Sequence, residues 1–151
     1  MQQLEENLMS HLCDSVNAWA VLVSTLAAFC IGGLWYSPVL CANAWVKAHG
    51  FTEAQLAAMK AKGGGSSYAV ALITYFVMGW VMAMFAGAMK MPADWMCALG
   101  FGFTCWLGFS MPITLTNAKF AQTPMSAWII DTGHSLVSLI VMAEVILLWQ
   151  K

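Results

Sequence analysis

Four long runs of apolar residues, separated by short polar stretches, dominate the pattern of the chain. Each run can cross the roughly 30 Å hydrocarbon core of a bilayer as an α-helix, which rises about 1.5 Å per residue. The pattern therefore predicts an all-α integral membrane protein that forms a single membrane domain over residues 1–151. The four predicted transmembrane helices cover about residues 18–36, 68–89, 95–116 and 125–149.

Two shorter stretches predict helices that lie along the membrane surface. Residues 2–12 carry a leucine at every fourth position among glutamine, glutamate and asparagine, which is typical of an interfacial helix. Residues 53–62 follow a capping box, in which Thr52 caps the first turn and Gln55 reaches back to it. We therefore expect one interfacial helix before the first span and another before the second. Asp14, Ser15 and Asn17 are the candidate N-caps of the first span.

Small residues recur at four-residue spacing in each of the first three predicted spans. This spacing produces a flat strip along one face of a helix, where another membrane helix can approach closely. Each strip therefore indicates a helix–helix contact, within the chain or with a neighbour. The strips are Ser24, Ala28 and Gly32; Gly79, Ala83 and Gly87; and Gly100, Thr104 and Gly108.

Composition supports the membrane assignment and excludes other classes. Hydrophobic residues make up 61% of the chain and charged residues 9%, whereas soluble domains carry about 25% charged residues. The formal net charge is -1 and the chain has no arginine, so the expected partner is the lipid bilayer and not a nucleic acid. The five cysteines lack paired metal-ligand spacing, and we predict neither a metal site nor a cofactor.

The lysines predict the orientation of the chain in the membrane. Four of them lie in the connections after the first and third predicted spans, and two lie on the other side. Because positively charged loops stay in the cytoplasm, both termini are expected on the non-cytoplasmic side. The larger group is Lys47, Lys60, Lys62 and Lys119, and the smaller group is Lys90 and Lys151.

The fourth predicted span contains ionisable residues deep within an apolar run. Such a group costs roughly 2.5–3.5 kcal/mol at the centre of a membrane helix, so these side chains are expected to have partners away from lipid. Asp131 and His134 are three positions apart and share a helix face, whereas Glu144 points away from it. The predicted intramembrane polar site is Asp131, His134, Ser135, Ser138 and Glu144.

Two functions are compatible with this polar site, and the sequence carries no catalytic constellation. In the first, Asp131 and His134 pair with each other and with serine, threonine or tryptophan donors on neighbouring helices, and the protein is an oligomerising or accessory subunit of a membrane complex. In the second, the polar stripe exchanges protons, and the protein is a proton-linked transporter or channel for a small solute or ion. A membrane enzyme or haem protein has less support, because His11 and His49 lie outside the predicted spans. The candidate hydrogen-bond partners are Thr74, Tyr75, Thr104, Ser110 and Thr114.

The end of the first predicted span carries a distinctive motif, which places two aromatic side chains at the headgroup level and a proline that stops the helix. A Gly-Phe-Thr-Glu run and a second Gly-Phe pair follow downstream. Together these residues resemble the uncharacterised bacterial membrane-protein family called domain of unknown function seventeen sixty-one. The resemblance implies a four-helix domain in the bacterial cytoplasmic membrane and no established activity. The helix-end motif is Gly33, Trp35, Tyr36, Ser37 and Pro38; the downstream residues are Trp45, Gly50, Phe51, Thr52, Glu53, Gly108 and Phe109.

Overall fold

The computed structural model of the protein describes residues 16–61 and 64–149, and the regular structure in these two ranges is helical. A short π-helical segment, Trp106–Ser110, joins α5 to α6. The α-helices are α1 (Ala18–Trp35), α2 (Ala42–His49), α3 (Glu53–Ala61), α4 (Gly65–Ala88), α5 (Trp95–Cys105), α6 (Met111–Phe120) and α7 (Met125–Leu148).

Four helical segments are long and apolar enough to cross a bilayer, which confirms the predicted all-α membrane fold. The first, second and fourth spans are α1, α4 and α7. The third span is the continuous segment Trp95–Phe120, which consists of α5, the π-helical segment and α6. The second span begins at Gly65, three residues before the predicted start. The third continues through Pro112 to Phe120, four residues past the predicted end. The helix predicted at residues 2–12 lies outside the described residues.

Local sequence explains where the helices begin. The side-chain oxygen of Asn17 accepts hydrogen bonds from the first-turn amides of α1, as an N-cap does. The capping box before α3 is also confirmed: Thr52 N donates to Gln55 Oε1 at 2.8 Å, and Gln55 N donates to Thr52 Oγ1 at 3.3 Å. The pattern did not predict α2, which is short and ends at Gly50 in the left-handed conformation (φ 67°) that glycine adopts without strain.

The centre of the bundle is α7, which packs against α1, α4 and the third span. α1 runs antiparallel to it, because Asn17 Nδ2 donates to Trp149 O at one end and Trp35 Nε1 donates to Ile130 O at the other. The small-residue strips of α1 and α4 face into this packing. A methyl group on Gly79 of α4 would lie 3.1 Å from the side chains of both Ser24 and Met142.

The third span contacts α7 closely along α5. A Cβ atom on Gly102 would lie 2.6 Å from the Cα atom of Ile140, so only glycine permits this approach. Further along, Trp106 Nε1 donates to both the carbonyl and the hydroxyl oxygen of Thr132, each at 3.1 Å. On the other side of Leu139, a largely apolar groove of about 490 Å³ separates the third span from α4. The bundle is therefore held together through α7.

Candidate functional site

The polar site is organised around the carboxylate of Asp131, the seventh residue of α7. At about 1.5 Å per residue, Asp131 lies about 9 Å from the start of the helix. The hydroxyl of Tyr36 donates to Asp131 Oδ1 at 2.7 Å, and the indole nitrogen of Trp45 donates to the same oxygen at 2.9 Å. Both donors come from the segment that follows α1, so Asp131 joins the first and last spans.

The helix-end motif reaches α7 at more than one point. Trp35 donates to the carbonyl of Ile130, and its ring packs so closely on Gly133 that an added methyl group would lie 3.4 Å from it. The hydroxyl of Ser37 donates to Leu34 O at 2.7 Å and turns the chain at the end of α1. The motif therefore fixes α1 to the first turns of α7, which is more than the headgroup anchoring that the sequence indicated.

His134 lies one helical turn further into α7 and is buried, with 8% of its surface exposed. Its ring centroid is 5.3 Å from that of Tyr36 and 6.5 Å from that of Tyr75. The hydroxyl of Ser138 and His134 Nε2 are 3.3 Å apart and share a hydrogen bond. A methyl group on Gly32 would lie 3.3 Å from the same nitrogen, so the glycine lets α1 come close to the imidazole.

Trp45 is held in place by an aromatic cluster on α2 and the residue after its cap. The Trp45 ring lies 4.3 Å from that of His49, and the His49 ring stacks on Phe51 at 5.1 Å with an interplanar angle of 2°. His49 Nδ1 also hydrogen-bonds Trp45 O at 3.1 Å. Trp45 follows the first span and Asp131 lies near the start of the last one, so both residues are on the same side of the membrane. This topology is the feature of the sequence from which their contact could have been predicted.

Burial and hydrogen bonding keep the Tyr36 hydroxyl protonated. Tyr36 follows the last residue of α1, outside the spanning segment. Burial raises the pKa of Tyr36 above its ordinary value, and the hydrogen bond to Asp131 raises the pKa further. Tyr36 is therefore a neutral donor to Asp131 at physiological pH.

Four of the five predicted polar-site residues come together at this end of α7. The hydroxyl of Ser135 donates to the carbonyl of Asp131, and Ser138 contacts His134 as described above. Within the described residues, the Asp131 carboxylate and the His134 ring share no direct hydrogen bond; each has other partners. Glu144 lies 13 positions beyond Asp131, about 20 Å along the helix, and lines a separate shallow depression near Trp149.

Among the candidate partners proposed from sequence, Tyr75 approaches the ring of His134, and Thr114 lies beside the same cleft as Asp131. The hydroxyls of Thr74 and Thr104 bond to carbonyls of their own helices. Thr114 also bonds to Ser110 O in its own span, and its oxygen accepts a hydrogen bond from Trp128 Nε1 at 3.2 Å.

On its outer side, Asp131 borders a cleft of about 270 Å³ between α6 and the start of α7. Side chains from both helices and from the connection between them line it. No sequence pattern predicts this cleft, because it depends on how the two helix ends lie against each other. The lining residues are Thr114, Asn117, Ala118, Ala121, Thr123, Trp128 and Asp131.

Four helices long and apolar enough to span a bilayer, with a half-buried carboxylate and a buried imidazole towards one end of the bundle, define a multi-pass membrane protein. The chain belongs to the family described as protein of unknown function, DUF1761, which matches residues 19–147. This match confirms the resemblance seen in the helix-end motif. No curated protein and no solved structure matches the chain.

Proposed function

We propose that the protein is a subunit of an oligomeric membrane complex. In this complex, the third span of one chain packs against a second copy of the same chain. The observation that carries this proposal is the position of the third small-residue strip. Gly100, Thr104 and Gly108 are all exposed, and a Cβ atom on either glycine would meet no atom within 4 Å. A strip of this kind favours close packing with another membrane helix.

The other features that promote helix association are already used within the chain. The strips of α1 and α4 face the core, where Ser24, Ala28 and Ala83 are buried. Asp131 and His134 have partners on their own chain. The third span is buried over only 17% of its apolar window, against 39% for α7, so it has the most surface left for a neighbour.

Substitution of the strip tests the proposal. Gly100→Leu and Gly108→Leu should each weaken self-association about tenfold or more, since a leucine prevents close approach of two backbones. Gly33→Leu is the matched control, because Gly33 in α1 is also exposed with open space at its Cβ position. Energy transfer between labelled copies in liposomes, measured over a range of protein-to-lipid ratios, reports the association.

A wild-type protein that stays monomeric at every ratio contradicts the proposal, and so does equal behaviour of the three variants. Native mass spectrometry of the complex extracted from membranes distinguishes a homo-oligomer from a complex in which this protein is an accessory subunit. In an accessory complex, the mass would include a different chain in fixed stoichiometry, and the Gly100→Leu variant should lose that chain.

Proton-linked transport of a small solute or ion is a second proposal, favoured by the line of Asp131, His134 and Ser138 along one face of α7. Groups of this kind mark proton routes in membranes. The same face continues into Met142, which is fully buried in the apolar core, so a route through one chain would need this region to open. Equal proton flux into proteoliposomes that contain wild type or the Asp131→Asn, His134→Ala double variant would exclude this function.

For the location of the protein, we propose the bacterial cytoplasmic membrane with the Asp131 end of the bundle in the cytoplasm. Lys47 and Lys119 are exposed at this end, and the positive-inside rule favours their cytoplasmic placement. Both termini would then be outside the cytoplasm. A reporter enzyme that is active only outside the cytoplasm, fused to the C-terminus, should be active; an inactive fusion that is made in normal amounts would reverse the orientation.

A further inference from the structure

The cleft between α6 and α7 presents a carboxylate oxygen without a partner. Both hydrogen bonds to Asp131 fall on Oδ1, and within the described chain Oδ2 receives none. No buried side-chain nitrogen or oxygen atom in the described residues is without a partner, so Oδ2 is open to the outside and not enclosed in the core. Asp131 is one of the residues that line the cleft, so a ligand in the cleft would lie beside its side chain.

The charge of Asp131 also lacks a cationic partner among its hydrogen-bond donors. Tyr36 and Trp45 are neutral, so they stabilise the carboxylate without neutralising it. Lys119 is carried by α6 but is not among the residues that line the cleft. A carboxylate in a partly buried site favours a positively charged ligand.

We infer that this cleft binds a small ammonium group, held with its positive charge against Oδ2 of Asp131. A primary ammonium has three N–H donors. Asn117 and Thr123, whose side chains carry a carboxamide and a hydroxyl oxygen, line the same cleft. Asp131, Asn117 and Thr123 thus supply one acceptor for each of the three donors.

Trp128 completes the site. Its indole nitrogen is held by the Thr114 hydroxyl, which in turn donates to Ser110 O at 2.9 Å, and this chain of hydrogen bonds fixes the ring at the wall of the cleft. A fixed indole ring attracts a cation through its π-electrons. The volume of about 270 Å³ is large enough for an amine of headgroup size.

The ligand set selects an ammonium group over a metal ion. Hard metal ions prefer about six oxygen ligands, several of them carboxylates, and this cleft has one carboxylate. In the described part of the chain, no three His, Cys, Asp or Glu side chains are grouped as a metal site would need. An ammonium group requires only one negative charge and a few neutral acceptors.

The position of the cleft admits two sources of the ammonium group. Asp131 is about two turns into α7, beside the tryptophan and tyrosine residues that are typical of the headgroup level. The group can therefore belong to the ethanolamine headgroup of a lipid or to a free amine that enters from water. The chemistry of recognition is the same in both cases.

Binding of ethanolamine and retention of phosphatidylethanolamine test the inference with the full chain. Labelled ethanolamine is titrated into protein in nanodiscs of phosphatidylglycerol, which has no amine. Asp131→Asn should lower the affinity about tenfold or more, since a charged hydrogen bond is lost while an acceptor for Tyr36 and Trp45 is kept. Asp94→Asn is the matched control, because it removes the same charge from the N-cap of α5 at the opposite end of the bundle.

Two further measurements make the outcome decisive. Thr123→Val removes one neutral acceptor from a connecting segment, and it should weaken binding about threefold even if Asp131→Asn fails to fold. Native mass spectrometry from nanodiscs of mixed lipids identifies the source of the ammonium group. Phosphatidylethanolamine retained by the wild-type protein indicates a lipid headgroup. Binding of free ethanolamine that phosphatidylethanolamine does not displace indicates a soluble amine. Failure to bind either molecule, or equal affinities for wild type and both Asp131→Asn and Thr123→Val, overturns the inference.

Discussion

The indole nitrogen of Trp45 donates a hydrogen bond of 2.9 Å to the carboxylate of Asp131, although 86 residues separate the two in the chain. With the Tyr36 hydroxyl on the same oxygen, this contact fixes the segment after α1 to the start of α7. Asp131 therefore contributes to the fold and, through its second oxygen, remains available for binding.

Trp45→Phe should lower the free energy of unfolding by about 1–2 kcal/mol, because it removes one hydrogen bond to a charged group while a ring remains to pack on His49. Unfolding in mixed micelles, followed by circular dichroism, measures the change. Trp19→Phe is the control, since Trp19 is 71% exposed on α1. Combined with Asp131→Asn, the effect of Trp45→Phe should shrink; strictly additive effects would contradict a direct contact.

Alkaline pH should release the contact between Tyr36 and Asp131. The folded protein holds the pKa of Tyr36 above its ordinary value of 10.0, so this contact stabilises the fold fully below pH 10 and loses its contribution as the pH rises further. An absorbance titration of wild type minus Tyr36→Phe should show tyrosine ionisation only above pH 10. A difference signal centred at or below that pH would contradict the hydrogen bond between Tyr36 and Asp131.

Two glycines in the same helix should respond differently to alanine. Gly102→Ala should destabilise the protein by about 1–3 kcal/mol, because its Cβ atom would overlap the backbone of Ile140 and push α5 away from α7. Gly100→Ala should be neutral or slightly stabilising, since its Cβ position is open. Thermal unfolding of the two variants in the same detergent makes the comparison, and equal midpoints would contradict the packing of α5 on α7.

Two serines on α7 give a second matched pair. Ser138→Ala should lower the free energy of unfolding by about 1–3 kcal/mol, because it removes the hydrogen-bond partner of the buried His134 ring. Ser135→Ala should have an effect below about 0.5 kcal/mol, since Ser135 is half-buried and bonds to a carbonyl of its own helix. Denaturant titration in micelles measures both, and a larger loss for Ser135→Ala would contradict the described arrangement of the site.

Local features of the fold follow directly from the sequence. The spans depend on continuous apolar runs, and the cap at Asn17 and the box formed by Thr52 and Gln55 depend on residues at most three positions apart. The common face of Asp131 and His134 likewise follows from helical periodicity. These predictions succeed because each involves one helix and its immediate neighbours in the chain.

Contacts between helices required information that spacing does not supply. The sequence predicts serine, threonine or tryptophan donors on neighbouring helices for Asp131, and its donors are Tyr36 and Trp45, beyond the end of α1. Their aromatic character is explained equally well by an interfacial belt, so the sequence pattern alone does not distinguish the two roles. The position of α1 relative to α7 along the membrane normal decides which of their side chains meet. The close contact at Gly102, which fixes α5 against α7, likewise appears only in three dimensions.

The central helix of this bundle is also the last of the four spans to leave the ribosome. At about 5–20 residues per second, α1 emerges on the order of ten seconds before α7 is complete. During that interval, the aromatic residues that will bind Asp131 have no carboxylate to hold, and α1 and α4 can pack only on each other. The contacts of α1, α4 and the third span with α7 therefore form only after α7 has been synthesised.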